Sequence, residues 1–181
     1  MSGSDLVGGV PASCSAQGGA AAEQAGPGQT GACQAAEPVL PLAVKLLHPQ
    51  ARLPRRAHPG DAGADLFSVD EVTIPTGERR EVGTGIALAI PEGYAGFVQP
   101  RSGLAFKHGI MVVNSPGLID AGYRGEVRVS LYNSGDEPFA VAVGERIAQL
   151  VVQRVAEPEF MEAEELPPTV RGAGGFGSSG R

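Results

Sequence analysis

The sequence predicts an all-β domain, a barrel or sandwich of short strands with one short helix, preceded by a tail unable to form a core. Three observations predict it. Short apolar runs recur between residues 39 and 155, separated by Gly- and Pro-rich turns, the pattern of antiparallel β architectures. Several of these runs alternate apolar and polar residues, the period of a half-buried strand. Residues 1–38 are rich in Gly, Ala, Ser and Gln, with no Lys, Arg or aromatic residue and only Asp5, Glu23 and Glu37 charged. Such a segment cannot bury enough apolar surface to offset its ordering entropy, so a disordered tail is expected there. An apolar fraction of 42% over 181 residues suits one domain with tails.

The ordered part begins near Val39. Leu40, Leu42, Val44 and Leu46 alternate with Pro41, Ala43 and Lys45, a first strand. Arg52 to Gly60, with Pro54 and Pro59, is a loop. Asp61 to Ser68 enters a second strand with Asp65 among small residues, either a turn or cap carboxylate or a functional one. Val72 to Gly77 is a short strand and turn. Gly83 to Pro91 is a strand stopped by its proline, and Tyr94 to Gln99 is another. Leu104 to Lys107 are acceptable helix formers behind Arg101, Ser102 and Gly103, so a short helix starts there. A helix start with Ser102 and a planar Arg101 cation can grip an anion, although the spacing is not that of a P-loop. An ordinary N-cap with a surface arginine explains the same residues. After Asn133–Pro138, a turn, come strands at Phe139–Val143 and within Gly144–Val152. Residues 156–168 carry Glu157, Glu159, Glu162, Glu164 and Glu165 with three prolines, an extended acidic linker.

The stretch from Ile110 to Asn133 holds the densest chemistry. Val127, Val129 and Leu131 alternate with Arg128, Ser130 and Tyr132, while Pro116, Gly117, Gly122 and Gly125 punctuate the segment before them. It reads as a β-hairpin with an open mouth containing Asn114, Asp120 and Tyr123. Backbone groups in such a mouth can read the edge of a flat heterocycle, and a carboxylate beside it can act as a base. Locally, a tight turn with Asp120 bonded to nearby amides is the simpler account, because Asp and Gly are common in turns. The chain ends in Arg171–Arg181, a Gly-rich arm around Phe176. Its backbone N–H groups can wrap phosphates, or it can be a floppy end.

Composition removes several function classes. The formal net charge of −6 argues against a nucleic-acid binder. The basic cluster Arg52, Arg55 and Arg56 is short, contains Pro54 and has no interleaved aromatics. No apolar run approaches the roughly 20 residues of a membrane span. The start lacks a cationic region followed by an apolar one, so no secretory signal is expected and a cytoplasmic location is. Cys14 and Cys33 have no CxxC spacing and no nearby His, and the three histidines are scattered. Neither a disulfide framework nor a side-chain metal site is indicated.

Five segments in this order resemble the deoxyuridine triphosphate nucleotidohydrolases, the dUTPases of the trimeric all-β type. They are Ala62–Ser68 (AGADLFS), Pro100–Ala105 (PRSGLA), Gly117–Gly125 (GLIDAGYRG), Gly144–Leu150 (GERIAQL) and Arg171–Ser179 (RGAGGFGSS). Each is weak alone, and all five at compatible spacing are specific. The resemblance covers residues 39–181 and departs from the family where Ala64 replaces a frequent Tyr. It implies a distorted jelly-roll barrel of the β-clip type over residues 39–155. Residues 156–181 would be the acidic linker and an arm that closes a neighbouring subunit's site in a homotrimer.

The resemblance implies hydrolysis of dUTP to dUMP and pyrophosphate, which clears dUTP from the nucleotide pool and supplies dUMP for thymidylate synthesis. Asp120 would be the catalytic base. Mg²⁺ would sit mainly on the substrate phosphates, with Asp65 reaching it through water. Arg101, Ser102, Gly103 and Gln149 would hold the inner phosphates, and Arg171, Gly177, Ser178 and Ser179 the outer ones. Asn114 and the backbone of Gly117, Leu118 and Ile119 would read uracil, Tyr123 would lie under the sugar, and Phe176 would stack over the base. Arg128 would add a cationic contact, and Arg146 a structural one. Two alternatives remain. A dCTP deaminase of the same fold needs a catalytic Glu where this chain reads Val129–Asn133, and it lacks the Gly-Gly-Phe-Gly arm. A non-catalytic nucleotide-sensing module predicts loss of Asp120 or of the arm, and both are present.

Overall fold

The computed structural model describes residues 40–175; the tail expected over residues 1–38 lies outside them. The chain forms β1 (Ala43–Leu46), β2 (Ala64–Phe67), β3 (Val72–Ile74), β4 (Arg79–Ala89) and β5 (Tyr94–Gln99). Helix α1 (Ser102–His108) follows, then β6 (Ile110–Val112), β7 (Gly117–Ile119), β8 (Glu126–Asn133), β9 (Phe139–Val141) and β10 (Arg146–Arg154). One antiparallel sheet has the order β1-β4-β8-β6, a second β2-β10-β5-β7, and β3 pairs with β9 alone. The all-β expectation with one short helix holds. The sheets do not close into a barrel; they face one another across a shared core.

The alternation in β8 is the clearest link from sequence to packing. Val127, Val129 and Leu131 are buried while Arg128 is exposed, and Leu131 is wholly inaccessible. They meet Leu66, Ile74, Ile86, Val98, Ile147 and Leu150 from all three sheets. Asn133, at the end of β8, is the one buried amide among the described residues. Its Nδ2 donates to the carbonyls of Ile74 and Glu137, and its Oδ1 accepts from Gly135 N–H at 2.9 Å. Every polar group it buries is therefore satisfied, which is the condition for keeping an amide in a core.

The first strand is shorter than its alternation suggested, Ala43–Leu46 with Leu46 exposed, and two further elements differ from the sequence reading. β4 begins at Arg79, four residues before the expected Gly83. Its start carries Arg79, Arg80 and Glu81 ahead of the inward Val82, and those charges disguised the strand. The expected hairpin is also more than a hairpin. β6 pairs with β8, but β7, in the turn-rich stretch between them, pairs with β5 of the second sheet. Residues 113–116 carry the chain from one sheet to the other, so the mouth is open because its two sides belong to different sheets.

Candidate active site

The first cavity, about 340 Å³, is lined by Asp61, Asp65, Arg101, Ser102, Gly103 and Gln149, with Ala57, Ala62 and Gly63. Asp65 reaches it from β2, Gln149 from β10, and Arg101 from the residue that caps α1. Asp65 and Gln149 are paired across the sheet, so register alone puts them side by side. Asp65 holds two arginines. Its Oδ1 accepts from Arg101 Nε at 2.8 Å, and its Oδ2 faces Arg146 Nη1 at 3.3 Å. Arg101 Nη1 also donates to the Arg146 carbonyl at 3.2 Å. Gln149 Nε2 donates to the Pro100 carbonyl, fixing the entry to α1. A Cβ on Gly63 would collide with the Gln149 amide, so glycine is needed for that side chain to lie where it does.

The ordinary N-cap account of Arg101 and Ser102 does not fit. Arg101 is itself the cap residue, with extended backbone and no side-chain cap bond, and Ser102 is the first helical residue. The Arg101 side chain is only 24% exposed and is pinned by Asp65. Its Nη2 makes no hydrogen bond among the described residues, so donors remain for an anion. Asp61 also lines this cavity and was not singled out from the sequence. Its carboxylate caps the 56–61 loop by accepting from His58 N–H, and its carbonyl accepts from Arg56 Nε. The sequence signal was the run of loop residues ahead of Ala62, which does not reveal which way Asp61 turns.

The second cavity, about 180 Å³, lies between the sheets where the chain crosses. Asn114, Gly117, Ile119, Tyr123 and Arg128 line it, joined by Glu81 and Glu126, which sequence reasoning passed over. Gly117 is buried against Val98 and the Asn114 amide, so a side chain there would enter the space. Tyr123 is held by its phenol, which donates to the Glu126 carbonyl at 2.9 Å. Leu118 points outward and is 59% exposed. Arg128 faces Glu126, Glu81 and Asp70 at 2.9, 3.1 and 3.8 Å. Its hydrogen bond to Glu126, then the Glu81 and Asp70 charges, raise its pKa above the usual arginine value despite partial burial.

Asp120 lies just beyond β7 and lines neither cavity. It is exposed, and its carboxylate makes no hydrogen bond or ion pair among the described residues; its carbonyl accepts from Tyr123 N–H at 3.1 Å. The turn account of Asp120, in which the side chain bonds local amides, is therefore not what is seen. The two cavities share no lining residue, so one chain does not bring Arg101 and Tyr123 into one enclosure. Arg171 is exposed and donates to the Gly174 carbonyl. Phe176, Gly177, Ser178 and Ser179 lie outside the described residues. No helix among the described residues is long and apolar enough to cross a membrane.

A family model described as dUTPase matches residues 49–180. The deoxyuridine 5'-triphosphate nucleotidohydrolase of Thermobifida fusca is 56% identical over 138 residues, covering 76% of this chain and 77% of the relative. That of Leifsonia xyli subsp. xyli is 57% identical over 130 residues, covering 71% and 86%. Among solved structures, a Staphylococcus bacteriophage 80alpha dUTPase mutant with dUpNHpp superposes with a TM-score of 0.75 at 33% identity, covering 79% of this chain and all of that one. A dUTPase from phage phi11 of S. aureus, described with a coordinated structural Mg(II) ion, has a TM-score of 0.65 at 31% identity, covering 70% and 98%. The chain belongs to the dUTPase family.

Proposed function

We infer that this chain hydrolyses dUTP to dUMP and pyrophosphate, with Asp120 as base, at a site assembled from three copies of the chain. One observation carries the composite site: anion-gripping groups and base-reading groups line separate cavities, while the Asp120 carboxylate stands exposed between chain neighbours that give it no partner. A second copy that presents its hairpin mouth to the first cavity would join the three parts. Arg171 and the arm beyond it, with Phe176, Gly177, Ser178 and Ser179, would come from a third.

In that assembly Asp120 would accept a proton from water as the water attacks the α-phosphorus in line. The Asp120 carboxylate is exposed and has no hydrogen bond or ion pair among the described residues, so a lone pair is free to accept it. Arg101, Ser102, Gly103 and Gln149 would position the inner phosphates, with the Arg101 plane already set by Asp65. Fixing that plane before substrate arrives removes part of the cost of ordering it later. Pyrophosphate leaves with its charge spread over oxygens that the arm can cover.

Asp61 and Asp65 give the first cavity hard oxygen donors, the chemistry Mg²⁺ prefers. Among the described residues no group of three His, Cys, Asp or Glu could hold a metal ion alone. Both facts fit an ion whose remaining ligands are substrate phosphates and water, with Asp65 reaching it through water because two arginines occupy its oxygens. Bound there, Mg²⁺ would neutralise phosphate charge and favour one conformation of the triphosphate.

Specificity would come from the second cavity. Asn114 and the backbone of Gly117, Leu118 and Ile119 would pair with the uracil edge. Cytosine presents a donor where uracil presents an acceptor, at a cost of roughly 1–3 kcal/mol for each buried group left unpaired. A pyrimidine seated beside Gly117 would have no room for a 5-methyl group, and Tyr123 under the sugar would exclude a 2′-hydroxyl. The setting would be cytoplasmic nucleotide metabolism. Pyrophosphate release with Mg²⁺ from dUTP, dTTP, dCTP and UTP, beside Asp120→Asn, tests the reading. Release from dUTP alone, abolished in the variant, is expected; release from all four would refute the account of base and sugar recognition.

A further inference from the structure

β4 carries a bulge opposite β8. Gly83 pairs with Arg128 and Ala87 with Glu126, so three residues of β4 face one of β8. The bulge turns two backbone N–H groups away from the ladder, and both find carboxylates. Gly83 N–H donates to Asp70 Oδ2 at 2.7 Å, and Gly85 N–H to Glu126 Oε1 at 2.8 Å. A Cβ on Gly83 would lie 2.8 Å from Glu126 Oε1 and 3.1 Å from Arg128 Nη1, so the backbone approaches the charges as closely as glycine allows. Asp70, Glu81 and Glu126 share one counter-ion among the described residues, Arg128. Without it, three carboxylates would repel one another across the bulge.

Glu126 joins this cluster to the second cavity. Its side chain binds the bulge and Arg128, and its carbonyl accepts the Tyr123 phenol. We propose that Glu126 and Arg128 are positioning residues that set the Tyr123 ring, and through it the discrimination between deoxyribose and ribose, without touching the nucleotide. The inference rests on the dUTP reading above, in which Tyr123 lies under the sugar. It separates two roles for Arg128, which lines the same cavity and could instead contact the substrate directly. Arg128, Glu126 and Tyr123 belong to one connected unit joined at Glu126, and changes within such a unit do not add.

The test is a cycle of Glu126→Gln, Arg128→Gln, the double variant and Tyr123→Phe. It reads kcat and KM for dUTP and UTP, dUMP affinity by calorimetry, and melting temperature. Each single variant is expected to lower the dUTP-to-UTP preference about 10-fold, mainly through KM, with the double variant no worse than either single. Arg128→Lys keeps the charge but loses the fork that meets three carboxylates, so its preference should fall between those of Arg128→Gln and the wild type. Tyr123→Phe removes only the phenol tether, so it reads the same effect should Glu126→Gln fail to fold. A full additional loss when Arg128→Gln is placed on Glu126→Gln would show direct substrate contact and overturn the proposal. So would an unchanged preference in Tyr123→Phe, or a fall in melting temperature with the preference intact. Wild-type protein inert towards dUTP would remove the functional reading and this inference with it; an active wild type with unchanged preference in the variants removes this inference alone.

Discussion

Asp65 and Asp120 are carboxylates of one chain with opposite surroundings. Asp65 is 13% exposed at its side chain and held by two guanidinium groups, Arg101 from the cap of α1 and Arg146 from β10. Asp120 is exposed, at the end of a three-residue strand, with nothing holding its side chain among the described residues. A carboxylate that fixes other groups needs partners; one that accepts a proton from water needs a free lone pair. In the proposed reading the contrast has a meaning: the anion corner is built within one chain, while the base would be completed by a neighbouring copy. The same division runs through the backbone. The first cavity stands on the long ladder of β10 with β2 and β5, and the second on short edge strands β6 and β7.

Substitutions can break this comparison at either end. The largest effect is expected from Asp120→Asn, which should lower kcat by about 10²–10⁴-fold, the usual worth of a positioned base. Its melting temperature should match the wild type, because the carboxylate makes no hydrogen bond or ion pair among the described residues; a large drop in stability would mean that Asp120 is structural. Asp65→Ala should show both losses. Two arginines would face each other without their carboxylate, costing about 1–3 kcal/mol of stability in denaturant unfolding and raising KM for dUTP. Stability without a KM change would reduce Asp65 to a brace unrelated to substrate. Gly63→Ala should displace the Gln149 amide and raise KM by about 10-fold, with only a modest change in stability. The smallest effect belongs to Glu78→Gln, which breaks the surface pair with Arg80, where both side chains are more than 40% exposed. It should change stability by less than about 0.5 kcal/mol and leave kinetics alone.

The parts legible in sequence were those with local signatures. The alternation of β8, the prolines that stop β4 and β5, and the short helix after Arg101 all follow from nearest neighbours along the chain. What could not be read was set by distant pairing. β7 is three residues inside a Gly- and Pro-rich stretch, and only its register with β5 makes it a strand. Arg101 and Arg146 are 45 residues apart, and no spacing rule shows that both face Asp65. Glu81, Glu126 and Asp70 carry no local signal in the sequence; only the fold brings the N–H groups of the β4 bulge to Glu126 and Asp70. The candidate site was legible in its residue types through the five motifs. Its division into two separate cavities was visible only in three dimensions.

The central claim is that Arg101 and Asp120 act together from different copies of the chain, and mixed assembly tests it most directly. Arg101→Gln and Asp120→Asn are each expected to be nearly inactive alone. Refolded together at equal concentration, they should recover about a quarter of wild-type activity, because random assembly places an intact Arg101 beside an intact Asp120 in that fraction of sites. Refolding the two separately and then mixing without exchange should recover none. A co-refolded mixture as inactive as its parents, with an affinity tag on one variant pulling down the other to confirm that mixed assemblies formed, would place both residues in a site made by one chain and contradict the account.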